Sequence, residues 1–297
     1  MTPHGALVAS VVLVAWLLPA RPADASEDWM PEGARLPAAF VIAAGDRVLR
    51  AHRDAVRRQP ASLAKLAGAL VVLDADRAAP GLLAAAVRID RAAAAAGGTR
   101  LGLDAGERVR ADALLEAMLL GSANDACLAL AAHVAGDAGR FVSRMNALAG
   151  ALGMRDTRFV DPCGFDRPGQ HTTAADLLRL ARAALAEPAL VAIVEEEAAR
   201  IQVDGAGDGA GRALVARNTN ALVGRYDGAF GLKTGFTGGA GPCLVAVARR
   251  GPHLVTVVLL GARDRWPVSV AMLDHAFEQV TGVPRIGSRT TIGEPDW

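Results

Sequence analysis

Residues 230–261 read FGLKTGFTGGAGPCLVAVARRGPHLVTVVLLG. Three apolar runs stand out, Phe230 to Gly235, Cys243 to Arg249 and His253 to Gly261, each of strand length. Arg250-Gly251-Pro252 makes a tight turn between the last two. A helix over Val268 to Val280 follows. At the other end of the chain, Ala38 to Ala44 (AAFVIAA) reads as a strand, Gly45-Asp46 as a turn and Arg47 to Arg50 as a returning strand.

The residues between these strands are rich in alanine and helical in period. Pro60 opens a helix that runs to about Ala75. Arg110 to Leu120, Asn124 to Ala135, Gly139 to Leu152 and Thr172 to Ala186 give four more, the last capped by Thr172 or Thr173. Asp161 to Gln170 reads as a surface loop, and Asp204 to Gly211 (DGAGDGAG) as a flexible loop between lobes. Strands, helices, strands, helix is the resulting order. It predicts an α/β (α+β) fold. One antiparallel sheet is built from both chain ends and flanked by helices, with an all-helical lobe over about residues 91–200 inserted between them.

Composition sets the outer bounds. The 297 residues carry a net charge of +1 and are 52% apolar, so a large core is expected, with no basic surface for nucleic acid. Ala6 to Leu18 is an apolar run too short to span a bilayer. Pro19 and Pro22 follow it, then Ala23-Asp24-Ala25, a small-x-small site. Residues 1–25 are therefore expected to be an export signal and residues 26–297 one catalytic domain, placed in the periplasm or cell-wall space. Three cysteines, Cys127, Cys163 and Cys243, leave at least one thiol without an internal partner. Cys127 and Cys243 lie in apolar stretches and read as small buried hydrophobes; pairing is not decided by sequence. The six histidines show no zinc-peptidase spacing, so no metal and no cofactor is expected. His171, in a loop before a helix, reads as structural.

Of 32 basic residues only Lys65 and Lys233 are lysine. Arginine keeps its charge at any working pH, whereas a buried lysine can lose its proton and act as a base. Both lysines fall in short motifs. Ser62-Leu63-Ala64-Lys65 lies in the first turn after Pro60, and positions i and i+3 share a helix face. The Lys65 amine is then within reach of the Ser62 hydroxyl, which is a poor nucleophile until a base takes its proton. Ser122-Ala123-Asn124 interrupts two helices, and in an extended segment its two polar side chains project to one side. Lys233-Thr234-Gly235 sits on a strand, where glycine lets another molecule approach the edge closely.

S-x-x-K, S-x-N and K-T-G in this order are the signature of penicillin-binding proteins and serine β-lactamases. The stretches GSANDACLALAAHVAG, FVSRMNALAGALGMRDTRFVDP, GQHTTAADLLRLARAAL, NTNALV and GLKTGFTGGAGPCLVAVARR extend the likeness. Over roughly Ala38 to Phe277 the chain resembles the low-molecular-mass D-alanyl-D-alanine carboxypeptidases.

The resemblance implies a set of roles. Ser62 would be acylated and Lys65 would be its base. Ser122 would relay protons to the leaving amine, and Asn124 would hold Lys65 and the substrate amide. Lys233 would shape the electrostatics of the cleft. Thr234 and Thr237 would hydrogen-bond the substrate carboxylate, with Gly235 in the binding edge. The N–H groups of Ser62 and Phe236 would form an oxyanion hole. Arg265, with Arg263 in reserve, would assist with the carboxylate. The implied partners are peptidoglycan stem peptides, with β-lactams as covalent inhibitors.

Some features depart from that pattern. Asp161-Pro162-Cys163-Gly164-Phe165 stands where relatives commonly read N-P-H-G-L. No β-rich second domain and no membrane-binding helix follow the closing helix, so no stable membrane anchor is expected after signal cleavage. The expected activity is D,D-carboxypeptidase. The alternatives are a D,D-endopeptidase that cuts cross-links and a penicillin-binding wall module of weak turnover. A class A β-lactamase is disfavoured because Glu187 is followed by Pro-Ala-Leu-Val and no E-x-x-L-N is found.

Overall fold

The structure is a computed structural model that describes residues 29–282 and residue 292. The signal expected over residues 1–25 lies outside the described residues.

The described residues form nine strands and eight α-helices. β1 (Ala39–Ala44) and β2 (Arg47–His52) form the N-terminal hairpin. β7 (Ala229–Thr237), β8 (Gly241–Arg250) and β9 (His253–Leu260) form the C-terminal meander. Together they make one antiparallel sheet of order β2-β1-β9-β8-β7. β1 pairs with β9, with Ala39 opposite Leu260 and Ala44 opposite Val255, so the two chain ends close the sheet and leave β7 as an edge.

Both faces of the sheet are covered, which is why β8 and β9 are nearly continuous apolar runs. On one face α8 (Arg265–Thr281), which carries Trp266, packs with Trp29, Phe40, Leu244 and Val257. On the other lies the larger cluster built around α1 (Ala64–Ala78). α1 is buried without interruption from Ala64 to Leu73. A helix that is apolar all round belongs inside a domain. Its burial carries Lys65, the exception in that run, into the core.

The central segment contributes α3 (Ala111–Leu119), α4 (Asn124–Ala135), α5 (Ala138–Ala151) and α6 (Ala174–Leu185) at the expected places. Thr173 rather than Thr172 caps α6, its hydroxyl accepting from Asp176 N at 3.1 Å. Asp137 caps α5 in the same way at 2.8 Å. Two short helices, α2 (Arg91–Ala94) and α7 (Pro188–Val194), were not legible in the periodicity. The segment is helical in bulk but also carries a small pair, β3 (Ala86–Arg88) with β4 (Arg108–Arg110), and the start of a hairpin, β5 (Ala198–Val203) with β6 (Arg212–Arg217).

Three expectations are corrected. The 204–211 loop is the tip of the β5–β6 hairpin rather than a lobe connector, because Val203 pairs with Arg212 across it. The 161–170 loop is not wholly at the surface. Asp161, Pro162, Cys163, Gly164 and Gln170 are buried, and the Asp161 carboxylate accepts the N–H groups of Cys163, Gly164 and Phe165 that would otherwise lose their water. Cys127 is not a free buried hydrophobe but is bridged to Cys163; Cys243 is free and buried. No described helix is long and apolar enough to cross a membrane.

Candidate active site

The three motifs arrive from three directions. Ser62 stands in a 3-10 turn, Ala61–Leu63, that leads into α1. Asn124 opens α4, directly after the α3–α4 break that holds Ser122. Lys233, Thr234 and Gly235 lie on β7. Two non-glycine residues beside the motifs have positive φ, Ala61 at 48° and Ser122 at 57°. Such backbone costs about 1–3 kcal/mol and is held only where the surroundings fix it. The Ser122 conformation also means that the break is not the extended segment read from sequence.

Lys65 is wholly buried and its Nζ meets three oxygens. Ser62 Oγ lies at 2.9 Å, Asn124 Oδ1 at 2.7 Å and the Cys163 carbonyl at 2.7 Å. The Asn124 amide oxygen and the carbonyl accept only. A neutral amine has two hydrogens to give, and these two acceptors take both. Its lone pair then has one remaining direction, toward the Ser62 hydroxyl. Burial lowers the Lys65 pKa to about 7, against the opposing pull of Asp161. Asn124 is oriented in turn by its amide, which donates to Gly97 O at 2.8 Å.

Lys233 is also buried, and its Nζ has no hydrogen-bond partner among the described residues. Burial pushes its pKa well down, and the charges of Lys65 and Arg265 push the same way. The charge of Arg265, which opens α8 with its guanidinium 4.5 Å from the Trp266 ring centre, thus bears on the same site. Arg263 is exposed. Gly235 fits directly against the nucleophile's turn: a Cβ there would come within 3.0 Å of Ala61 Cβ and 3.2 Å of Ser62 N. Phe236 is 67% exposed at the open end of β7.

Thr237, expected to hydrogen-bond a substrate carboxylate, has an acceptor within the chain. Its hydroxyl donates to Asp166 Oδ1 at 2.7 Å, and Gly239 N donates to Asp166 Oδ2 at 2.8 Å. A carboxylate of the chain itself therefore occupies that hydroxyl. Thr234, by contrast, shares a 2.6 Å hydrogen bond with Thr219 Oγ1, which also contacts Leu120 O at 3.2 Å.

Thr219, Asp161, Asp166 and the Cys127–Cys163 bridge were missed by sequence reading. The signal for the first was the polar triplet Asn218-Thr219-Asn220 between apolar runs. Asn218 donates to Val194 O and Glu196 O, and Asn220 donates to Gly231 O, each at 2.9 Å. Glu187 is tied to Arg77 at 2.8 Å as the residue before α7. His171 Nδ1 lies 2.9 Å from Gly169 O. No group of His, Cys, Asp or Glu suited to a metal occurs among the described residues.

A family model described as D-alanyl-D-alanine carboxypeptidase (peptidase S11) matches residues 36–264. The chain is 30% identical over 253 residues to the D-alanyl-D-alanine carboxypeptidase DacF of Bacillus subtilis, covering 84% of this chain but only 63% of that enzyme. It is 36% identical over 230 residues to a D-alanyl-D-alanine endopeptidase of Escherichia coli, covering 76% of this chain and 71% of the relative. Among solved structures, a D-alanyl-D-alanine carboxypeptidase from Mycobacterium tuberculosis H37Rv superposes with a TM-score of 0.75 at 30% identity, over 93% of this chain and all of that one. With the family model covering most of its length and the sheet and helices superposing on a solved member, the chain belongs to the peptidase S11 family of D-alanyl-D-alanine carboxypeptidases.

Proposed function

We propose that the chain is a serine D,D-carboxypeptidase that removes the terminal D-alanine from peptidoglycan stem pentapeptides. The observation that carries this reading is the Lys65 amine, dry and near neutral in pKa, with one direction left open toward Ser62 Oγ at 2.9 Å. Neutral Lys65 takes the Ser62 proton as Oγ attacks the carbonyl of the penultimate D-alanine. The C–N bond breaks, the leaving amine takes a proton passed from Lys65 through Ser122, and an ester remains on Ser62. Water then attacks that ester, returning the hydroxyl to Ser62 and the shortened peptide to solvent. The N–H groups of Ser62 and Phe236 serve the oxyanion. Asn124 holds Lys65. Lys233, Thr234 and Arg265 favour the substrate carboxylate, and Gly235 lets the substrate lie along the β7 edge. Penicillins acylate Ser62 in place of the dipeptide.

Action outside the cytoplasm fits the Cys127–Cys163 bridge, since disulfides persist in oxidising compartments. A second reading, cleavage of peptidoglycan cross-links by the same residues, is supported by the name of the Escherichia coli relative. The test offers purified protein a pentapeptide, a cross-linked dimer and a fluorescent penicillin, beside Ser62→Ala. Free D-alanine from the pentapeptide is expected, with no label on the variant. Cleavage of the dimer alone transfers the reading to the endopeptidase, and a labelled Ser62→Ala overturns the nucleophile.

A further inference from the structure

The D-P-C-G-F loop, the departure noted in the sequence, touches the catalytic amine directly. The Cys163 carbonyl is one of the two acceptors that fix Lys65 Nζ, at 2.7 Å. The other, Asn124 Oδ1, belongs to the first turn of α4. Cys127 lies three residues on from Asn124, on the same helix face, and is bonded to Cys163 with Cα atoms 5.9 Å apart. One covalent link therefore joins the two elements that present the two acceptors.

Among the described residues, the other direct polar contact between them is the 3.8 Å approach of Cys163 Sγ to Asn124 O. The remaining hydrogen bonds of residues 161–165 are mostly internal to the loop region: Asp161 accepts from Cys163, Gly164 and Phe165, and Gln170 serves Asp161 N and Phe165 O. Gly164 explains how close the loop comes to the nucleophile. Its φ is +93°, and a Cβ there would fall 1.9 Å from Ala61 O. The loop leans on the Ser62 turn on one side and is bolted to α4 on the other.

We propose that the Cys127–Cys163 disulfide is a positioning element of the reaction, clamping the 161–165 loop to α4 so that the Cys163 carbonyl and Asn124 together hold the Lys65 amine against Ser62. This rests on the reading of Ser62 and Lys65 given above. Without the bridge the loop is free to lift from Lys65, and water enters. The charged groups that bear on Lys65 are Asp161 in the loop and Lys233 on β7. Burial is the main cause of the low Lys65 pKa, so admission of water moves it up, toward the ordinary lysine range.

The test compares wild type with Cys127→Ser/Cys163→Ser and with Cys127→Ala, each well below its melting temperature. The second-order rate of acylation by a fluorescent penicillin is followed from pH 5 to 10. A misplacement near 1 Å costs up to ~100-fold in rate, so a loss of at least about ten-fold is expected at pH 7. The acid limb of the profile is expected to move to higher pH. A bridge that only stabilises the fold lowers the melting temperature and leaves both rate and acid limb in place, which overturns the proposal. Failure of both variants to fold also overturns it, by making the bridge a folding requirement. A wild-type protein that takes no label overturns the reading of Ser62 along with it, and so is told apart from failure of the clamp alone.

Discussion

Gly235 presses on the backbone of Ser62 so closely that a single added methyl, 3.2 Å from Ser62 N and 3.0 Å from Ala61 Cβ, would have to push the β7 edge and the nucleophile's turn apart. Contacts of 3.0–3.2 Å are tighter than carbon normally tolerates, and neither backbone can rotate away. Gly235→Ala is expected to cost about 1–3 kcal/mol by overpacking. It should also slow penicillin acylation, because the N–H of Ser62 moves with its turn. Thermal melting and a labelling time course check this; unchanged labelling would mean that β7 yields without disturbing Ser62.

The Lys65 amine predicts the shape of the pH profile. Only the neutral form accepts the Ser62 proton. With a pKa of about 7, the acylation rate should fall about ten-fold per pH unit below that value, as expected for one titrating base. Lys65→Arg, which cannot lose its proton, should not label at all. The same shift has a sign for stability. A lowered amine pKa means that between about 7 and the ordinary 10.5 the unfolded chain holds a proton the folded chain does not, so stability rises with pH there and its loss is complete below 7. Lys233 acts in the same direction. Urea unfolding at pH 7 and pH 8, below the ordinary range of the Cys243 thiol, should show the higher midpoint at pH 8.

The sheet was legible because its strands are apolar runs bounded by glycine turns. The helices of the central segment were legible where they are long and amphipathic. α7 was not, since Pro188 to Val194 is a short apolar run with no period to read. The site was legible through Ser62, Lys65, Asn124 and Lys233, whose side-chain chemistry is unusual for their positions. Asp161, Thr219 and Asp166 were not, because a short polar residue in a loop looks the same in sequence whether it caps a turn or reaches across the fold. Nor could spacing pair Cys127 with Cys163, since pairing depends on where α4 and the loop meet.

Thr219 offers a test of that unread part. Its hydroxyl joins Thr234 on β7 to Leu120, the residue that closes α3 as its C-cap and lies two before Ser122. Thr219→Val keeps the shape and deletes the hydroxyl. A buried hydroxyl left unpaired on Thr234 costs about 1–3 kcal/mol, and Thr234 loses the partner that orients it. Stability should fall by that order, and KM for a pentapeptide should rise more than kcat falls. A variant with wild-type KM would place Thr219 outside the binding arrangement.

Asp166 makes the last case. Its carboxylate holds Thr237 Oγ1 and Gly239 N, a hydroxyl and an N–H side by side at the end of the β7 edge. Such a pair is what a peptide carboxylate would use, so the chain's own acid competes with a substrate's terminal one. It also adds negative charge where an anion must approach. Asp166→Ala frees both donors and removes that repulsion, at the cost of a looser 238–240 turn. If competition dominates, KM for a peptide ending in free D-alanine falls several-fold while kcat holds. A peptide ending in an amide gains less, because it brings no charge for Asp166 to repel. Steady-state kinetics on the two peptides decides between the roles: an equal rise in KM for both would show that Asp166 serves the turn and that the carboxylate is bound through Thr234, Lys233 and Arg265 without Thr237.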